Sequence, residues 1–140
     1  MIHIDKSSFP IVIVTFKKTI ENDKEFQEFL QEWLNLYSQK KYFSFIFDTR
    51  EISEIPSLKY CFQIVAFISK IKILPVKYLE KSSIIVSNNM IQNLIDFIFS
   101  IQKPISDVYI YTSTDVSDLN TIFDRFESNT ISDYKLIKYD

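Results

Sequence analysis

The chain has 140 residues, 46% hydrophobic and 16% aromatic, so one domain spanning 1–140 with a substantial core is expected. Its formal net charge is −2, and Arg50 and Arg125 are its only arginines among scattered lysines, which leaves no clustered cationic surface for nucleic acid. Glycine is absent. That excludes P-loops, dinucleotide fingerprints, kinase-type loops and the G-x-S-x-G nucleophile elbow, all of which need a backbone free of Cβ.

In chain order, Ile2 to Asp5 reads as a short hairpin arm against the β-branched run FPIVIVTFK at 9–17. Asn22, with Glu25 three residues later, opens a helix in which Phe26, Phe29, Leu30, Trp33, Leu34 and Tyr37 recur at helical spacing. Tyr42 to Phe47 is a second apolar strand, closed by Asp48-Thr49-Arg50. Pro56-Ser57 then starts a helix over 57–72 carrying two apolar stripes. Leu58, Cys61, Phe62, Val65 and Ile68 form one, and Tyr60, Ile64, Phe67 and Ile71 form the other. Ser83 to Val86 is a third strand, and Asn88 suits the cap of a helix bearing Met90, Ile91, Leu94, Ile95, Ile98 and Ile101. Val108 to Tyr111 is a fourth strand, ended by Thr112-Ser113-Thr114-Asp115. A last helix is expected around Leu119, Ile122, Phe123 and Phe126, and Tyr134 to Ile137 suits an edge strand in the tail.

The order β(β)αβαβαβα predicts a single-domain α/β fold, a largely parallel sheet of four or five strands covered by about four helices. A Cys/His zinc site is impossible with one histidine and one cysteine, and His3, in a terminal strand, reads as a surface residue. Cys61 cannot close an internal disulfide and suits a reducing compartment. The start, MIHIDKSSF, lacks the apolar stretch of a secretory signal, and the most apolar run, Tyr60 to Ile73, is broken by Gln63, Ser69, Lys70 and Lys72. A cytoplasmic protein without a membrane span, cofactor or metal is therefore expected.

Three stretches, FSFIFDTREI, SSIIVSN and DVYIYTSTDVSDLNTIF, together with the element order over roughly 11–126, resemble the SpoIIAA-like fold of STAS domains and their Sec14-like relatives. In bacterial members of that family a strand ending in Asp leads to an Asp-Ser-Ser/Thr-Gly helix start, whose Ser is phosphorylated to switch partner binding. The resemblance puts Asp48 on the strand-end Asp and Ser57 on the switch serine. Pro56, Leu58 and Lys59 depart from the motif, so the fold is implied more directly than the switch.

The remaining candidates follow from position. Asp48, Thr49, Arg50, Asn88 and Thr114 should gather at the carboxyl edge of the sheet, where open α/β sheets bind ligands, although the same residue types serve as helix caps and turns. No matched acid–base pair stands out, and a non-enzymatic module is expected. Tyr60, Ile64, Phe67 and Ile71 are the candidate interface for a protein partner or a homodimer, unless that stripe packs inward. A carrier or sensor of an apolar ligand such as a lipid is the alternative, and it requires an apolar cavity.

Overall fold

In the computed structural model, residues 1–112 and 135–139 are described. Strand β1 (Ile2–Asp5) pairs antiparallel with β2 (Ile11–Lys18), with Ile4 opposite Val14. Asp5 ties the turn between them, its Oδ1 accepting from the Ser7 amide at 2.9 Å and the Ser7 hydroxyl at 2.6 Å. These bonds hold the exposed Asp5 carboxyl below its ordinary range.

Three strand–helix units follow. Helix α1 (Asp23–Tyr37) is capped by Asn22, whose Oδ1 accepts from the Glu25 amide at 3.0 Å, and it buries Phe26, Phe29, Leu30, Trp33, Leu36 and Tyr37. Strand β3 (Phe43–Ile52) runs parallel to β2 and leads to α2 (Leu58–Ile71), capped by Ser57. Strand β4 (Leu79–Val86) leads to α3 (Asn89–Ile101), where Asn88 Oδ1 accepts from the Ile91 amide at 3.0 Å. Strand β5 (Asp107–Thr112) lies parallel to β4, and β6 (Lys135–Ile137) closes the far edge antiparallel to β5.

The strands lie side by side in chain order, β1 to β6. Each parallel crossover therefore steps the same way across the sheet, and a constant hand of crossover brings all three helices to one face. Alternation along the strands then divides the apolar residues. Val12, Val14, Phe16, Phe43, Phe45, Ile84, Val86, Val108 and Ile110 face the helices in one core cluster, while Ile11, Ile46, Ile85 and Tyr111 form a small cluster on the opposite face. The main cluster is unusually aromatic, with Phe16 and Phe29 edge to face at 5.7 Å and Trp33 against Phe45 at 5.2 Å.

The expected mixed, mostly parallel α/β sheet under helices is what the chain forms, with six strands and three helices among the described residues. The tail strand is present as Lys135–Ile137. The helix expected around Leu119, Ile122, Phe123 and Phe126 lies outside the described residues. The second apolar strand is longer than expected. It continues through Asp48, Thr49 and Arg50 to Ile52, because Thr15 still pairs with Asp48, Lys17 with Glu51 and Lys18 with Ile52. Polar residues that read as a strand end are thus held inside the sheet by their neighbour's backbone.

Two lysines take the left-handed conformation that glycine more commonly supplies. Lys18 at the end of β2 has φ 68° and Lys40 beyond α1 has φ 56°. Each side chain's Cβ crowds the following carbonyl, at a cost of about 1–2 kcal/mol, partly recovered because lysine has less unfolded-state freedom than glycine. Lys40→Gly should therefore raise stability by about 0.5–1 kcal/mol in urea denaturation. An unchanged or lower midpoint would show that the backbone there is not strained.

Candidate functional site

Asp48 and Arg50, two residues apart on β3, project from the same sheet face. Arg50 grips the carboxylate as a fork: its Nε donates to Asp48 Oδ1 at 3.0 Å, its Nη2 to Oδ2 at 2.9 Å, and its own amide to Oδ1 at 3.1 Å. Both side chains are buried. Burial pushes the Asp48 carboxyl up, but the Arg50 guanidinium and amide outweigh it and hold the group below the usual carboxylate range. Thr49 points the other way, and its Oγ1 donates to the Ile85 carbonyl at 2.7 Å. The three residues are structural links within the sheet rather than an open strand-end cluster.

At the carboxyl edge, Ser57 and Asn88 serve as helix caps; Ser57 Oγ accepts from the Lys59 amide at 3.4 Å. Ser57 itself is exposed. Beside it, Asp23 accepts from the Tyr60 hydroxyl at 2.7 Å and pairs with Lys59 Nζ at 2.9 Å, which ties the starts of α1 and α2 together. The hydrogen bonds from Lys59 and Tyr60 lower the Asp23 pKa. Thr114 lies outside the described residues.

The two stripes of α2 are placed opposite to the arrangement that would make the second one an interface. Tyr60 is 3% exposed, Ile71 2% and Phe67 8%, and Ile64 packs against the same core. The reason is the aromatic face of α1: Tyr60 sits edge-on to Phe26 at 5.0 Å and Phe67 lies 4.9 Å from Trp33. The apolar residues left outside come from the first stripe, with Leu58 54% and Phe62 52% exposed. Phe62 meets Phe97 of α3 across the helix pair, centroids 6.1 Å apart and rings near perpendicular. Cys61, adjacent to Phe62 in sequence, turns inward, and burial pushes its thiol up, away from the reactive thiolate.

Between the helices and the sheet lies a cavity of about 160 Å³. Phe16, Phe47 and Ile84 form its floor, with Phe29 and Trp33 of α1, Ile64 and Ile68 of α2, and Ile95 and Ile98 of α3 above. Ile20, Ile52 and Pro56 bound it at the carboxyl ends of β2 and β3. Rigid rings packed edge to face cannot flow into such a gap as unbranched side chains would, and the facing isoleucines have stiff χ1 angles. Thr49 also borders it, but its hydroxyl is already spent on Ile85. Trp33 Nε1 and the Tyr37 hydroxyl, one turn apart on α1, are both buried without a hydrogen bond of ordinary geometry. Burial pushes the Tyr37 hydroxyl up to about 12, partly offset by the nearby Trp33 indole N–H. Among the described residues, the cavity wall thus offers no acid, base or nucleophile.

Composition and periodicity gave no direct sign of this hollow; the one available signal was the number of aromatic residues directed to a single face. Among the described residues, no group of three His, Cys, Asp or Glu side chains is placed to hold a metal ion. No helix among them is long and apolar enough to cross a membrane. No family model, curated protein or solved structure matches this chain.

The Asp48–Arg50 fork yields a pH-dependent expectation. The folded carboxyl lies below its unfolded value of about 3.9, so its contribution is complete above that value and is lost as pH falls through the folded one. Asp48→Asn should cost about 3 kcal/mol at pH 7, because Arg50 loses its buried counter-charge. It should also flatten the acid limb of the stability–pH curve measured by chemical denaturation. Equal stability of the variant at pH 7 would contradict this role.

Proposed function

We propose that this chain is a non-catalytic module, on a STAS-like, SpoIIAA-like scaffold, that takes up a small apolar molecule in the cavity beneath α2 and α3. The observation that carries the reading is the apolar-walled hollow of about 160 Å³ between the three helices and the aromatic face of the sheet. Protein interiors are close-packed, and a void of this size forfeits dispersion contacts that an occupant would restore. The element order supports the scaffold reading, and Ser57, which the resemblance puts on the family's switch serine, is exposed, although Pro56, Leu58 and Lys59 differ from the motif.

Toluene-saturated buffer should raise the thermal midpoint, since a ligand that binds only the folded state stabilises it by mass action. Ile98→Phe, which fills the cavity from α3, should remove that response without lowering the ligand-free midpoint. No midpoint shift in the parent protein would overturn the reading.

A second reading, a protein-binding or self-associating regulatory module, is favoured by the Phe62–Phe97 pair and the neighbouring Leu58, an exposed apolar patch on α2 and α3. In this reading the association surface is the outer stripe of α2, since the inner one is core. Light scattering after size exclusion should give a mass above the monomer that Phe62→Glu returns to the monomer. A monomer at every concentration would remove self-association.

A further inference from the structure

Resting on the proposed uptake of an apolar molecule, we infer that the cavity selects one hydrogen-bond-free molecule the size of a single ring, such as a monocyclic aromatic or short branched hydrocarbon, and rejects phenols and fatty acids. Size is the first argument. An apolar hollow of roughly 150 Å³ stays dry and holds benzene, whereas sites for drug-sized ligands span about 300–1,000 Å³. At about 160 Å³ this cavity belongs with the former.

The walls give the second argument. The Thr49 hydroxyl is committed to the Ile85 carbonyl at 2.7 Å, and the Trp33 indole N–H lies within the core beside Tyr37. A hydroxyl or carboxylate carried inside would lose its water and meet no partner among the described lining residues, which weakens binding roughly ten- to hundredfold for a single hydroxyl.

The approach gives the third argument. Ile20, at the carboxyl end of the cavity, also lines a surface depression that contains Glu21 and Glu54. Lys59 is the cation there, and it is already paired with Asp23 at 2.9 Å. A fatty acid with its chain in the cavity would hold its carboxylate against those two glutamates. The aromatic floor provides positive attraction for a ring. Phe16–Phe29 and Phe29–Phe47 are already edge to face at 5.7 and 6.4 Å, and a ligand ring can extend the same pattern.

Trp33 is the only tryptophan and lines the cavity, so its emission reports occupancy directly. Benzene, phenol and octanoate should be titrated separately into the full chain, followed by Trp33 fluorescence and by methyl NMR of the isoleucines. Benzene should give saturable changes at Ile68, Ile84 and Ile95, with phenol at least tenfold weaker and octanoate without effect on those methyls. Phenol or octanoate binding as tightly as benzene would overturn this selectivity while leaving uptake of an apolar molecule standing. If none of the three perturbs Trp33 or the cavity methyls, the uptake reading itself fails. Ile98→Phe provides the control, since a change that survives filling of the cavity arises elsewhere and counts as no binding there.

Discussion

The sequential order of the sheet is the constraint on which the rest depends. Because β2, β3, β4 and β5 lie side by side in chain order, α1, α2 and α3 all come to one face. Three helices must then cover a sheet whose helix-facing side carries Phe16, Phe43, Phe45 and Phe47. Phe29 and Trp33 of α1 meet Phe47 and Phe45 edge to face, and Tyr60 and Phe67 of α2 pack in turn on Phe26 and Trp33. Where those rings and the branched side chains of α3 fail to interdigitate, the cavity remains. Fold, core and candidate site are consequences of a single topological choice.

The opposite side of the sheet takes the buried Asp48–Arg50 pair. The Asp48–Arg50 fork sits on the face turned away from the three helices, in register with Thr15 of β2 and Ile85 of β4. A buried carboxylate is tolerable there because its partner is two residues away on the same strand and satisfies both oxygens. Thr49, between them, faces the cavity side and disposes of its hydroxyl by bonding the neighbouring strand. Alternation along β3 thus keeps Asp48 and Arg50 off the hollow, while the bond to Ile85 takes up the Thr49 hydroxyl.

Much of the architecture was legible in the sequence. Helix spacing in α1, the caps Asn22, Ser57 and Asn88, and the apolar strands all stand where periodicity and cap chemistry place them. The length of β3 was not legible, because Asp48-Thr49-Arg50 has turn composition, and only pairing with β2 keeps it extended. Nor was the inward stripe of α2. With apolar residues on two faces, periodicity cannot say which one meets the sheet, and the choice rests on ring contacts with Phe26 and Trp33. The cavity was the least legible feature, since a void depends on how side chains from six elements fail to meet.

The central claim is that this void is a binding site rather than slack in the core. A crystal structure under xenon pressure tests it most directly, since xenon enters apolar hollows without needing any hydrogen bond. The account predicts a xenon atom bounded by Phe47, Ile68 and Ile95, with the surrounding side chains unmoved. A cavity without xenon, closed by rotation of Phe47 or Ile98 into the space, would contradict it.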